Sequence, residues 1–163
     1  MQVSLSWLNQ YVPVSLPVSQ VADALTMAGL EVDGVFDRFA YLDGAVVGKV
    51  ISVEAHPDAD HLTVCRVDAG DGEVAVVCGA PNVRKGMLTA LVRPGFVLPN
   101  GMTIKKSKIR GVVSRGMLCS AVELAVGPDS AGIMDLQQAV NPGTPLAGAL
   151  SLSDSVLEID LTP

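Results

Sequence analysis

The residues best suited to chemistry lie together between positions 56 and 61, in the stretch HPDADH. His56, Asp58, Asp60 and His61 are all metal-ligand types, and a catalytic zinc ion needs three such ligands. However, Pro57 fixes its own backbone angle and favours an extended His56, so the two histidines do not share a helix face. Aspartates in such a position commonly bond nearby backbone amides. The stretch therefore predicts a turn between two strands, with Asp58 and Asp60 bonded to its amides, and no metal site.

The chain carries no recognisable enzymatic signature. The stretch GAPNVRKG has glycines and a lysine but lacks both the spacing of a phosphate-binding loop and a following helix. Cys65, Cys78 and Cys119 are an odd number of cysteines without CxxC spacing, which predicts reduced, buried thiols. Nothing in the local sequence marks one of them as an activated nucleophile. We therefore predict no catalytic residue in this chain.

Basic residues are concentrated in one part of an otherwise acidic chain. The net charge of −6 argues against a general nucleic-acid binder, because a phosphate backbone repels an acidic protein. Residues 84–115, however, contain eight of the eleven basic residues and none of the seventeen acidic ones. Such segregation is expected when one face of a domain meets a polyanion. It also fits a solvated face whose cations pair with acids elsewhere, so both interpretations stay open.

The stretch IKKSKIRGVVSRGM is the most basic part of this region. Successive side chains of an extended strand point to opposite faces, so Lys106, Lys108 and Arg110 would share one face and Lys105 and Ile109 the other. One face of this strand would then be strongly basic. With nearby polar and apolar residues, the candidate nucleic-acid contacts are Asn82, Lys106, Lys108, Arg110, Ser114, Arg115 and Met117.

The three uncharged candidates each have a structural alternative. Asn82 could read a base edge or tie its own loop together. Ser114 could donate to RNA or satisfy a backbone amide, and Met117 could pack against a base or belong to the core. The sequence leaves these alternatives open.

Hydrophobic periodicity divides the chain into a helical start and a β-rich middle. Residues 18–28 have apolar side chains at helical spacing, and a shorter helix is expected around residues 4–11. Five strand-like runs follow between about residues 39 and 120, the last of them at 103–113, separated by turn-forming clusters. We predict a mainly β fold with short helices, built on a closed five-stranded antiparallel barrel of the oligonucleotide/oligosaccharide-binding (OB) type.

The order of these elements predicts a domain inserted into another. Residues 1–38 would form the helical part of a small split α/β domain, and residues 39–150 the barrel. Residues 151–163 would return to the split domain through a half-buried strand that includes Leu157, Ile159 and Leu161. Because no apolar run is long enough to span a bilayer, we expect a cytoplasmic protein.

Several stretches resemble a known family. HPDADHLTVCRVDAGDG, VVCGAPNV and KIRGVVSRGMLCSAVEL resemble, in order and spacing, the tRNA-binding barrel module of tRNA-synthetase-associated proteins. The preceding VSLSWLNQYVP and ALTMAGLEVDGV resemble the N-terminus of bacterial phenylalanyl-tRNA synthetase beta subunits. Relatives usually carry a lysine where His61 stands and an acidic residue where Arg115 stands. These differences favour RNA contact by the basic stretch rather than by the HPDADHL loop.

The resemblance implies a non-catalytic, tRNA-binding part of an alpha2beta2 enzyme that attaches phenylalanine to its tRNA with ATP and magnesium. It implies tRNA and the alpha subunit as partners, with amino-acid activation in the alpha subunit. No cofactor is expected in this fragment, nor is a membrane or DNA partner. The alternative is a structural or protein-interaction module of the OB type that makes no direct RNA contact.

Overall fold

The computed structural model describes residues 1–160. The chain forms two compact units: the terminal unit, residues 1–41 with those from 152 onward, and the central unit, residues 42–151. In chain order, the elements are β1 (Gln2–Ser4), α1 (Leu5–Leu8), α2 (Val18–Met27), β2 (Val32–Asp37), a 3-10 helix (Ala40–Leu42), β3 (Val46–His56), β4 (Ala59–Asp68), β5 (Glu73–Cys78), β6 (Leu88–Val92), β7 (Ser107–Ile109), β8 (Val112–Ser114), β9 (Met117–Cys119), α3 (Leu146–Ala149) and β10 (Ser155–Ile159). The predicted mainly β fold class with short helices is confirmed. No helix of this part of the chain is long and apolar enough to cross a bilayer.

The terminal unit is a three-stranded antiparallel sheet with β10 between β1 and β2. Val21 of α2 packs with Leu157 and Ile159 of β10, and these three side chains form the buried centre of the unit. Alternation of buried and exposed residues in β10 arises because successive side chains of a strand face opposite ways. The predicted strand is therefore confirmed for Leu157 and Ile159, whereas Leu161 lies outside the described residues.

A buried carboxylate, Asp154, holds the start of α1 in the terminal unit. Its side chain is only 3% exposed and lies 3.6 Å from the guanidinium of Arg38. It accepts a hydrogen bond from the Ser4 hydroxyl at 2.7 Å and another from the Ser6 backbone N–H at 3.0 Å. Burial raises the pKa of Asp154, but the two serines and Arg38 together outweigh it, so that the pKa lies below its ordinary value.

We expect Asp154→Asn to destabilise the terminal unit in a pH-dependent way. Because the folded state lowers the carboxyl pKa, the charged group stabilises the fold above the unfolded-state pKa of about 4, and this contribution is lost as pH falls through the lowered value. The variant should lose about 1–3 kcal/mol of unfolding free energy at neutral pH and little in acid. Urea unfolding followed by the fluorescence of Trp7, the single tryptophan, measures this difference. The exposed Asp33→Asn is the control, and equal losses in both variants would contradict the assignment.

The central unit is built on a five-stranded antiparallel sheet with the order β5-β4-β3-β6-β9. Its core is aliphatic and includes Val50, Val67 and Leu91, each fully buried. The three cysteines are free and buried, as predicted. Burial, with a smaller effect of Glu123, raises the pKa of Cys119 to about 12, so this thiol is poorly suited to act as a nucleophile.

The fifth strand of the sheet is not the one predicted. The run 103–113 does not form one strand: β7 and β8 within residues 107–114 pair with each other as a separate two-stranded hairpin, and β9 takes the fifth place. The reason is local, because Arg110 and Gly111 have φ values of 43° and 92°. Two consecutive residues with positive φ make a tight hairpin turn, so the chain reverses there and pairs with itself.

The predicted closure of the barrel is not detected among the described residues. The edge strands β5 and β9 have no ladder between them. Two hydrogen bonds instead join β5 to the segment before β9, from the Arg115 N–H to the Ala75 carbonyl at 2.8 Å and from the Val77 N–H to the Ser114 hydroxyl at 3.1 Å. Residues 114–115, directly before β9, therefore lie along the β5 edge of the sheet in place of a β5–β9 ladder.

Candidate nucleic-acid interface

The stretch HPDADH forms the turn between β3 and β4, as predicted, but His56 rather than the aspartates organises it. His56 is 5% exposed, and its Nδ1 accepts from the Asp58 backbone N–H at 3.1 Å. The carboxylates of Asp58 and Asp60 make no hydrogen bond or ion pair with the described residues, so the predicted role of these aspartates is wrong. Within residues 1–160 no three His, Cys, Asp or Glu side chains are grouped to hold a metal ion.

The basic segment, defined here as residues 105–115, carries five exposed cations: Lys105, Lys106, Lys108, Arg110 and Arg115. Its geometry differs from the single extended strand that was predicted. Lys106 precedes β7, Lys108 lies within it, and Arg110 lies in the turn that follows. Lys106, Lys108 and Arg110 therefore do not occupy alternate positions of one strand face. Instead, these three residues lie along a segment that reverses direction at Arg110 and Gly111.

None of these five cations has an acidic side chain within 4.0 Å among the described residues. The four ion pairs found there are all made by arginines outside the segment: Arg38 with Asp154, Arg66 with Glu73, Arg84 with Asp135, and Arg93 with Asp71. The interpretation in which the basic stretch pairs internally is thus correct for Arg84 and Arg93. In the basic segment itself, no ion pair with a residue of the range 1–160 neutralises the positive charge.

The acidic net charge belongs to the terminal unit. That unit contains one basic residue, Arg38, and seven acidic ones, whereas the central unit contains ten of each. The whole excess of −6 therefore lies outside the unit that carries the basic segment. Because screening limits the range of exposed charges to about 10 Å at ordinary ionic strength, the local charge matters more than the net charge for a bound polyanion.

Two grooves border the basic segment on the surface of the central unit. One, of about 610 Å³, has Lys105, Ile109 and Met117 in its lining. The other, of about 510 Å³, is lined in part by Lys106 and Arg115. Two consecutive lysines thus border different grooves. The smaller groove is also lined by Asp71 and Glu73, whose carboxylates pair with Arg93 and Arg66.

The uncharged candidates are engaged within the protein. The Asn82 amide donates to the Ile133 carbonyl at 2.8 Å and accepts from the Ile133 N–H at 3.0 Å. Ser114 is 2% exposed, and besides accepting from Val77 it donates to the Gly116 carbonyl at 3.0 Å. The polar atoms of Asn82 and Ser114 therefore hold loops together. Met117 is half-buried in β9 and lines the larger groove.

Sequence reasoning missed the place of Lys105 on this surface and the buried hydrogen bond by which His56 supports it. Strand alternation places Lys105 on the opposite face of a strand that does not form. The sequence indicates His56 only as a turn residue, whereas its Nε2 also donates to the Ile109 carbonyl at 3.0 Å, 53 positions along the chain. Only the run of lysines could have indicated Lys105. Nothing in the sequence indicates the long-range bond of His56.

The central unit is thus a small β module, a five-stranded antiparallel sheet with an exposed basic hairpin whose cations form no ion pair among the described residues. The chain belongs to the tRNA_bind family, a tRNA binding domain, whose family model matches residues 45–145.

Over its full length the chain is similar to curated proteins named phenylalanine--tRNA ligase beta subunit. It is 49% identical to that of Desulfotalea psychrophila, 47% to that of Syntrophus aciditrophicus and 48% to that of Moorella thermoacetica. The resemblance to this family of subunits is thereby confirmed. The chain covers 100% of its own length in each case but only 20%, 20% and 21% of the relatives, about a fifth. Among solved structures, it is similar to a MetRS related protein from Pyrococcus horikoshii, with 22% identity, 61% of this chain and 85% of that chain covered, and a TM-score of 0.45.

Proposed function

We propose that this chain is the tRNA-binding part of a phenylalanine–tRNA ligase beta subunit, and that its basic segment contacts the phosphate backbone of tRNA. The observation that carries the proposal is the set of five exposed cations between Lys105 and Arg115 without an acidic partner among the described residues. Exposed, unpaired cations release counterions from a nucleic acid at little cost in lost protein contacts.

The contacts proposed within the segment are Lys106, Lys108, Arg110 and Arg115, with Lys105 added from the geometry. Phosphate contacts of this kind position a nucleic acid without reading its sequence. Met117 is proposed to contact a base or ribose from the larger groove, which it shares with Lys105. Asn82 and Ser114 are proposed to act indirectly, because their polar atoms already bond within the protein.

The proposed domain arrangement follows the predicted one, with residues 39–150 as an OB-type tRNA-binding domain inserted into a split domain formed by residues 1–38 and 151–163. It is supported by the two compact units and by the family match to residues 45–145. Among its described residues, the acidic terminal unit exposes ten large apolar side chains, including Trp7 and Tyr11. That composition favours protein contact for the terminal unit rather than RNA contact.

The whole enzyme is proposed to attach phenylalanine to tRNA in an ATP-dependent reaction, as a cytoplasmic alpha2beta2 assembly with the alpha subunit. Magnesium binds oxygen ligands, chiefly carboxylates and phosphates. The basic segment has no carboxylate, and no three potential ligands are grouped within residues 1–160. The residues present do not fit a magnesium site, so ATP and magnesium are assigned to other parts of the enzyme.

The wild-type chain should bind an unmodified tRNA transcript weakly and with a strong dependence on salt. With three to five phosphate contacts, the logarithm of the association constant should fall against the logarithm of salt concentration with a slope of roughly −2 to −4. Fluorescence anisotropy of labelled tRNA over a salt series measures this slope. Absence of saturable binding at low salt would contradict the proposal and favour a module that binds only protein.

A further inference from the structure

Two turns that lie far apart in sequence are joined beside the basic segment. The His56 ring, at the end of β3, donates from Nε2 to the Ile109 carbonyl at 3.0 Å. The Arg110 guanidinium donates to the Asp58 carbonyl at 3.1 Å. These bonds span 53 and 52 positions and connect the β3–β4 turn to the β7–β8 turn. The exposed hairpin is therefore attached at its tip to the five-stranded sheet.

His56 is the buried member of this connection. It is 5% exposed, and both of its ring nitrogens are used. Nδ1 must be unprotonated to accept from the Asp58 N–H, and Nε2 must carry hydrogen to donate to the Ile109 carbonyl. One neutral tautomer satisfies both bonds. The side chain thus caps its own turn and holds the hairpin with the same ring.

The hairpin needs such an attachment because its strands are short. β7 and β8 contain three residues each and, among the strands of residues 1–160, pair only with each other. An isolated two-stranded hairpin is at best marginally stable in water. The bond between Ser114 and Val77 fixes the far end of β8, whereas the tip at Arg110 and Gly111 is held through His56 and Asp58.

We infer that His56 is a positioning residue for tRNA binding, which fixes the tip of the hairpin so that the cations of the basic segment are held in place before tRNA arrives. The inference rests on the proposed function. Ordering a flexible segment on binding opposes association, so a hairpin that is already ordered binds more tightly with the same charges. His56 touches no tRNA in this account and acts only through the segment.

Three substitutions separate the two bonds of His56. His56→Ala removes both. His56→Asn keeps an acceptor near the Nδ1 position for the Asp58 N–H but is too short to reach the Ile109 carbonyl. His56→Gln places an amide N–H near the Nε2 position, so it keeps the bond to the hairpin and gives up the cap of the turn. The matched control is Val47→Ala, which leaves a cavity in the same strand β3 without touching either bond.

Hydrogen exchange of the hairpin amides tests the attachment without RNA. Relative to the other amides of the sheet, we expect the β7 and β8 amides to exchange faster than in the wild type in His56→Ala and His56→Asn. In His56→Gln and Val47→Ala, their relative exchange should stay near that of the wild type. Uniformly faster exchange across the whole sheet in His56→Ala would mean a general structural role. Unchanged exchange in both His56→Ala and His56→Asn would overturn the attachment.

Binding of the unmodified tRNA transcript tests the positioning role. We expect the Kd to rise about three- to tenfold in His56→Ala and His56→Asn, and to stay within about twofold in His56→Gln and Val47→Ala. If His56→Ala does not fold, the comparison of His56→Asn with His56→Gln decides. Equal Kd values for those two variants would overturn the inference. If the wild type itself does not bind the transcript, the proposed function fails. If the wild type binds and the Kd of His56→Asn equals that of the wild type, only the role of His56 is removed.

Discussion

Replacing Gly70 by alanine is expected to lower the unfolding free energy of the central unit by about 3 kcal/mol or more. Gly70 has a φ of 86°, which an L-residue rarely adopts. A Cβ there would lie 2.5 Å from the Pro142 carbonyl oxygen and 2.8 Å from the Gly143 Cα. Both are backbone atoms that no side-chain rotation can move, so the backbone at Gly70 and the backbone at residues 142–143 would have to move apart.

Gly86→Ala separates the two parts of this effect. Gly86 has nearly the same φ, 85°, but a Cβ there would meet nothing within 4 Å. The Gly86→Ala variant should therefore lose only the part of the unfolding free energy that comes from the unfavourable backbone conformation, about 1–2 kcal/mol. Urea unfolding followed by far-ultraviolet circular dichroism compares the two variants. Equal destabilisation would show that the approach of Gly70 to Pro142 and Gly143 is loose.

The Gly70 approach matters because Gly70 packs against the segment that joins the last part of the central unit to β3. Gly143 donates its N–H to the Val47 carbonyl at 2.8 Å, and the Val47 N–H donates to the Thr144 carbonyl at 2.9 Å. Residues 142–144 therefore lie along β3 while passing over the turn that follows β4. A shift at Gly70 moves this returning segment away from β3, the central strand of the sheet.

The strands of the sheet could be predicted because their causes are local. Valine-rich runs separated by turn-forming clusters correctly indicated β3 to β6, and helical spacing correctly indicated α2. The hairpin of β7 and β8 was missed because its turn has an arginine, Arg110, at a positive φ. Glycine, asparagine or aspartate at the position of Arg110 would have signalled a reversal in the sequence, and Gly111 alone was not enough.

The chemistry of the candidate site was less predictable, because it depends on contacts distant in sequence. The sequence could show that cations cluster near Lys106, but not that Arg93 pairs with Asp71 while Lys106 pairs with no acid among the described residues. Likewise, Asn82 and Ser114 are residue types that suit either RNA or a backbone amide. Their partners, Ile133 and Val77, lie 51 and 37 positions away, so only the fold could reveal them.

Reversing the charge of Lys106 and Lys108 together is expected to weaken tRNA binding by about tenfold or more at low salt. Each lysine is exposed and has no acidic partner in the described part of the chain. The substitution Lys106→Glu with Lys108→Glu breaks no ion pair found there, and it replaces two proposed phosphate contacts with two repulsions. Circular dichroism should show an unchanged fold.

The most direct test of this account compares that pair with a second one, Lys49→Glu with Lys85→Glu. Lys49 and Lys85 are also exposed and outside every ion pair of the described residues, and their reversal changes the net charge by the same amount. In titrations with one unmodified tRNA transcript at one salt concentration, we predict a Kd at least about tenfold higher for the first pair and within about threefold of wild type for the second. Equal losses in both pairs, or no loss in the first, would contradict tRNA binding by the basic segment.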